Sequence, residues 1–429
     1  MAIIPQGSLF SWNEIAGLGD LERLKLVLEH LPDEALMQKL EKARGKGRDD
    51  YPVRAMWNAY IALVVFQHPS VESLRRELSR NGQLRWLLGF GDRVPSAAAF
   101  SRFWKRVEAH EAELESLFVA LQQAVATYLP DYGKRLALDS KAIRSYARHR
   151  PKNTAPDGRR DGDADYGFKT VRDREGNVTK LRWFGYKLHL IVDSTHELPV
   201  AYTVTPASKA DVATAHALLE KLQAKRPEVL ARAEVLAADK GYDDTKLIVR
   251  LWDEHRIRPV IDIRASWRDG EATRLFEGQT NVVYDNEGRV FCVCPETGTM
   301  RTMAEGGFEA ARGTLKKRCP AKAYGLPCAG VAQCPAARGL RIRMEVNRRL
   351  FTPIARGSAR WAREYRKRTA VERVFSRLDT MYGFETHTIR GLKKMRMRVG
   401  LALVVMLGMA LGRLREGLSG NLRSFVQVA

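Results

Sequence analysis

Cysteine is absent from the first 291 residues; all five lie between Cys292 and Cys334. A fold stapled throughout by disulfides is thereby excluded, and a chain of 429 residues has interior enough to hold together without them. Long hydrophobic runs are scarce too. The most apolar, Val399 to Leu411, spans about thirteen residues, with glycines inside and arginines near both ends, short of the roughly 20 residues a bilayer span needs. It reads as a buried core helix, and no membrane partner is expected. The opening MAIIPQGSLFSWNEIAGLGD lacks the basic-then-apolar order of a secretory signal, so export is not expected and the chain is placed in the cytoplasm. The largest deficit is in acids: 50 Asp and Glu against 72 Lys and Arg, a net charge of +22. That imbalance points to a polyanionic partner, nucleic acid first. With 45% hydrophobic residues the chain is globular, with room for two or three domains.

Apolar spacing marks helices at Leu21 to Leu31, Asp33 to Lys42, Val53 to Gln67 and Val71 to Ser79, each with Asp, Ser or Pro near its start. Ser96 to Val107 opens on a Pro-Ser cap signal and presents Phe100, Phe103, Trp104 and Val107. Residues 1–130 are therefore expected to form a helical domain. The texture changes at Lys134, where Leu136 to Leu138 suit a buried strand with Asp139 emerging from its core-facing end. Arg150 to Gly167 has no periodicity and reads as a loop. Leu181 to Val192 and Leu198 to Thr205 read as strands joined at Ser194, Thr195 and His196, and Ala213 to Gln223 as a helix. EVLAADKGYDD is a buried strand running into Asp239; a helix, Thr245 to His255, and a strand, Arg258 to Ile263, follow. Any single strand-ending Asp is commonly a cap, and Asp193 and Asp243 are read that way. Trp267 to Arg341, with its Gly, Asn and Asp and short alternating runs, is expected to be strand and loop.

Trp361 to Leu378, WAREYRKRTAVERVFSRL, reads as one helix. Tyr365, Arg368 and Glu372 are spaced by three and four and so share a stripe; Val371, Val374 and Leu378 anchor the neighbouring face. Arg363, Arg366, Lys367, Arg373 and Arg377 surround the acid with positive charge, which suits a phosphate backbone held beside a carboxylate. From Arg341 to Arg377 the chain carries twelve Lys or Arg against three acids, with Phe351, Trp361 and Tyr365 interleaved. The plain alternative is a solvated basic face.

Tyr, two residues, Arg, three residues, Glu resembles the third catalytic segment of the DDE transposases of bacterial insertion sequences, the insertion-sequence-four superfamily and its relatives. ADKGY around Asp239 is similar to the second segment, and LALDS around Asp139 stands in the place of the first. The run from GRDDYPVRAMW to VPSAAAFSRFWKRV resembles the domain that precedes the catalytic core in these enzymes. One departure stands out. The family continues with a lysine seven residues after the glutamate, and this chain has Asp379 there; Arg377, Lys393 and Lys394 are the nearby bases that can take over its end-binding role.

The resemblance implies an α+β protein: an RNase H-like catalytic core with a mixed sheet and flanking helices, interrupted by a small β/loop insertion and preceded by a helical domain. The implied bounds are 1–130 for the DNA-end-binding domain, 131–265 and 351–429 for the core, and 266–350 for the insertion. Asp139, Asp239 and Glu372 would be the catalytic acids and the ligands of two Mg²⁺ or Mn²⁺ ions, Asp139 bridging both. Hard cations about 3.5–4 Å apart suit oxygen ligands and stabilise the attacking and leaving oxygens of phosphodiester cleavage. Tyr365, Arg368, Arg363, Lys367, Arg373 and Arg377 would contact DNA. The implied partners are element ends and target DNA, with the protein a homodimer or larger synaptic complex near the nucleoid. Two other classes stay open: an inert DNA-binding protein on the same scaffold, which would bind without cutting, and a nuclease that would cut without joining. For the five clustered cysteines, a structural zinc and separate reduced thiols are equally compatible readings, since C-x-C is tighter than usual zinc spacing and the count is odd.

Overall fold

Residues 19–45, 51–147, 160–172, 175–265 and 267–422 are described by the computed structural model. The amino-terminal part is helical: α1 (Leu21–His30), α2 (Glu34–Arg44), α3 (Val53–Val65), α4 (Val71–Arg80), α5 (Gly82–Leu88), α6 (Ala97–Glu108) and α7 (Glu111–Tyr128). Ser70, Asn81 and Ser96 accept backbone N–H bonds at the starts of α4, α5 and α6, contacts worth about 1 kcal/mol each. α5 and α7 lie outside the spans that apolar spacing marks. α3 is buried almost all round, and its Trp57 donates from Nε1 to Asp33 Oδ2 at 2.7 Å, so the indole carries no unmet donor into the core.

The sheet follows: β1 (Arg135–Arg144), β2 (Asp165–Arg172), β3 (Val178–Asp193) and β4 (Leu198–Pro206), then α8 (Asp211–Lys225), α9 (Pro227–Arg232), β5 (Val235–Ala238), α10 (Thr245–Val249) with a wide turn at Arg250–Glu254, and β6 (Arg258–Ile261). Its order is β2-β3-β1-β5-β6, with β4 also beside β3. β1 runs antiparallel to β3 and parallel to β5, and β5 parallel to β6, so the sheet is mixed. β2 corrects one expectation. Residues 148–159 lie outside the described residues, but Asp165 to Gly167, read as loop, begin a strand that pairs with the outer half of β3. This arm is polar and exposed, so no apolar alternation betrays it: Phe168 is 62% exposed and Arg182 stacks over the Tyr166 ring. Where the arm leaves the sheet, Gly185 pairs with both Asp165 and Arg144, and a Cβ there would collide with the Ile143 carbonyl.

Beyond β6 come two small antiparallel sheets. β7 (Thr273–Leu275), β8 (Val282–Asp285), β9 (Val290–Val293) and β10 (Met300–Thr302) form one; β11 (Ala304–Glu309), β12 (Thr314–Arg318) and β13 (Leu340–Arg343) form the other, with α11 (Pro320–Tyr324) after β12. They enclose a separate apolar cluster that includes Phe276, Val282, Val290, Leu315, Ile342 and Phe351. The chain then returns as α12 (Ala359–Arg366), α13 (Thr369–Tyr382) and α14 (Leu392–Arg415). α14 is longer than the apolar run suggests. By length and composition it is the one described helix that passes for a membrane span, yet its apolar window is wholly buried against α7, α1, α3 and β4. Gly412 lets it approach α1 closely: a Cβ there would press on Leu26 and His30.

The expected single helix from Trp361 to Leu378 is two helices. At Lys367 and Arg368 the backbone stays in the right-handed helical region but makes three-residue bonds, Arg368 N–H to Tyr365 O at 2.9 Å and Val371 N–H to Arg368 O at 3.1 Å, which interrupt the α-helical ladder.

Candidate active site

Leu138 of β1 stands opposite Ala238 of β5 in a parallel ladder, so Asp139 and Asp239 lie side by side; Asp239 follows the end of β5, but Asp139, expected at a strand end, stands mid-way along β1, which runs on to Arg144 beside β3. Asp239 ends its strand and its Oδ1 accepts from Gly241 N–H at 2.8 Å. Its capping role and its place beside Asp139 coexist. Burial pushes the Asp139 carboxyl up to about 7, and the charge of Asp239 adds to this, while the Ser140 N–H, Arg368 and Lys169 hold it down. Tyr242, the last residue of ADKGY, lies buried nearby; burial first, then the charges of Asp139 and others, raise its hydroxyl well above the usual range. Asp193 and Asp243 serve structure. Asp193 accepts from the N–H groups of Gly133, Thr195 and His196, and Asp243 from Arg349 and the Arg264 N–H.

Glu372 opens α13, across from β1. Arg368 links the two sides: its Nη1 donates to Glu372 Oε1 at 2.7 Å and stands 3.7 Å from Asp139 Oδ2. The helix break therefore leaves the stripe usable, because Arg368 sits at the joint and also lies over the Tyr365 ring. Tyr365 stacks on Trp361, ring centroids 4.6 Å apart, against Val235, Ala237 and Val260.

The expected DNA-contacting bases divide. Arg363 is exposed on α12, and Lys367 donates to Glu364 at 2.9 Å. Arg373 and Arg377 turn elsewhere. Arg373 Nε donates to Glu197 Oε1 at 2.6 Å, and Arg377, only 7% exposed, donates to the Glu197 carbonyl. Arg377 is thus placed differently from the expectation: it ties α13 to the β3–β4 turn from inside the protein. Lys393 and Lys394 are exposed at the start of α14.

Residues 134–407 match the family model described as the transposase DDE domain. The chain belongs to the DDE transposase family. A second model, also described as a transposase domain, matches residues 15–106. No curated protein matches the transposase. Among solved structures it is similar to a piggyBac transposase synaptic complex with hairpin DNA, at 12% identity and a TM-score of 0.38, over 95% of this chain and 81% of that one.

DDE transposase domains work with divalent metal ions, and the donors here fit one in kind. Two carboxylates on adjacent strands, one of them pushed towards neutrality by burial and by its neighbour, are relieved by a hard cation. Glu372, as it stands, is turned to Arg368, whose charge takes the cation's part. Among the described residues no group of three or more His, Cys, Asp or Glu is arranged to hold a metal ion. No zinc site is seen at the cysteines either. They do gather: Cys294 and Cys328 Sγ lie 3.9 Å apart, and Asn281 donates to Cys334 Sγ at 3.1 Å.

Sequence reasoning missed Tyr242, Lys169 and Lys141. Tyr242 was readable in ADKGY, but Lys169, on the polar arm, acts on Asp139 through its charge alone. Lys141 binds a helix more than 230 residues away, which no local pattern signals.

Proposed function

We propose that this transposase cleaves DNA at the ends of its insertion sequence and joins the freed 3′ ends to target DNA. The observation that carries this reading is the parallel register that sets Asp139 beside Asp239, with Glu372 facing them through Arg368. The strand order supports an RNase H-like core. Three strands, β1, β3 and β4, precede a helix and two parallel strands, and the first strand is central. Residues 266–350 would be an insertion in that core, and the helices within 1–130 an end-binding domain.

Asp139, Asp239 and Glu372 would hold two Mg²⁺ or Mn²⁺ ions, which when bound activate a water or a 3′ hydroxyl and neutralise the leaving oxygen. The protein's own residues position the strand. Arg368 releases Glu372 to the site and turns its guanidinium to the phosphate being processed. Trp361 and Tyr365, already stacked, offer a face to an unpaired base, and Arg363 and Lys367 track the backbone beside it. Two ends must be processed together, so a dimer or larger synaptic complex is the working form.

The test is nicking of a labelled duplex bearing an element end, with and without Mg²⁺, beside a gel-shift assay on the same protein. Cutting followed by joining is expected. A protein that shifts the duplex but never cuts it is the inert binder, and one that cuts without joining is a nuclease.

A further inference from the structure

We propose that Lys141 is a positioning residue that locks the strand carrying Asp139 to the helix carrying Glu372. The inference rests on the catalytic reading above. Lys141 lies two residues beyond Asp139 on β1, so both side chains leave the same face of the strand. Asp379 lies seven residues beyond Glu372 on α13, two helical turns along and on the same face. Lys141 Nζ donates to Asp379 Oδ2 at 2.6 Å and to Glu385 Oε1 at 2.8 Å. Strand and helix therefore meet twice: at Asp139, Arg368 and Glu372, and again one step along at Lys141 and Asp379.

The second contact has the properties of a lock. The side chains of Lys141 and Asp379 are only 13% and 24% exposed, so salt screens their attraction little. Glu385, 66% exposed, is the looser partner. Apolar packing by Val371, Val374 and Leu378 is non-directional, and the bonds from Arg373 and Arg377 to Glu197 fix α13 to the β3–β4 turn but not to the strand that carries Asp139. The charge-assisted bond from Lys141 does. It matters because a misplacement of about 1 Å costs a reaction on the order of 10²-fold. The lock also gives a physical reason for Asp379: a lysine there would set a second ammonium against Lys141.

Lys141→Met, Asp379→Asn and the double variant, with Lys141→Arg as the conservative change, are compared with the full-length parent. The readouts are nicking of the end duplex, affinity for that duplex, Mn²⁺ binding by electron paramagnetic resonance, and melting temperature. Each single loss is expected to slow nicking at saturating DNA by roughly 10- to 100-fold. The Mn²⁺ needed for half-occupancy rises severalfold, with duplex affinity and melting temperature close to the parent's. The double variant should be no slower than the worse single one, since both remove one contact, and Lys141→Arg should keep most of the rate. Parent-like cutting and Mn²⁺ binding by Lys141→Met, or losses that multiply in the double variant, overturn the lock and leave the catalytic reading standing. Readouts that all fall together with the melting temperature reduce Lys141 to a general stabiliser. A parent that neither cuts nor binds Mn²⁺ overturns both.

Discussion

Half of the Glu372 side chain is exposed, and its bond to Arg368 is an i,i+4 pair of the kind that contributes little to stability. Replacing it with Gln keeps shape and helix propensity but removes the charge that would hold a cation, so cutting should fall by orders of magnitude while DNA binding survives. Parallel nicking and gel-shift assays check this; a variant that cuts at the parent's rate removes Glu372 from the site. Glu364 would be a poor substitute, since it is buried and paired with Lys367 and Arg135. Asp139 makes a different prediction. Its carboxyl sits near 7 in the metal-free fold, against about 3.9 in an unfolded chain. Between those values the folded state binds the extra proton, so stability is complete below about pH 4 and falls as pH rises towards 7. In a chelating buffer, Asp139→Asn should melt above the parent at pH 8 and with it near pH 4, by scanning calorimetry. Melting temperatures that differ equally at both would show that Asp139 does not titrate in that window. At this scale the place of Asp239 at a strand end and of Glu372 on a helix was legible from the pattern, whereas β1 runs on past Asp139 to Arg144 through polar residues that no apolar run marks. The fate of Arg377 was not legible either, since a basic residue on an amphipathic helix reads the same whether it meets phosphate or a buried Glu197.

Elements were legible where one face is apolar and ambiguous where none is. β1, β3, β4, β5 and β6 announce themselves by buried runs, whereas β2 is held by backbone pairing to an arm with little apolar surface. The break between α12 and α13 was hidden for a related reason: the stretch Tyr365 to Ala370 contains no Gly or Pro to signal a stop, and each half packs on different strands. α12 packs on β5 and β6, and α13 on β1 and β3. The residues after β13 are tied back by charge. Arg349 donates to Asp243 through Nη2 at 2.6 Å and Nε at 3.0 Å, and the Asp243 side chain is 1% exposed. Arg349→Met would strand a buried carboxylate, a loss of roughly 3–5 kcal/mol. A lower melting temperature and faster limited proteolysis between residues 265 and 350 are expected. Adding Asp243→Asn should restore part of both, since the uncompensated charge is then gone. No change in either measurement would mean that the apolar contacts alone hold these sheets to the core.

Charge acts over the whole molecule. A net +22 is spread over the chain, and attraction for DNA must come from bases that are not consumed in ion pairs. Arg373 and Arg377 are consumed by Glu197, and Lys141 by Asp379 and Glu385. Arg363, Lys393 and Lys394 are exposed. Each phosphate that such residues neutralise releases condensed counterions, and the logarithm of affinity falls by about 0.9 per contact for each tenfold rise in salt. With six or more contacts, binding to a duplex should weaken by roughly 10³-fold between 50 and 200 mM salt. The slope should be similar for an end-bearing duplex and for one of unrelated sequence, because phosphate contacts carry no sequence information; only the offset between the two lines should report recognition of the end. Arg363→Ala should reduce the slope by about one on both duplexes, while Arg377→Ala should leave it unchanged and lower the melting temperature instead. Fluorescence anisotropy across a salt series measures both lines. A slope that drops with Arg377→Ala and not with Arg363→Ala would reverse the division between inward and outward bases.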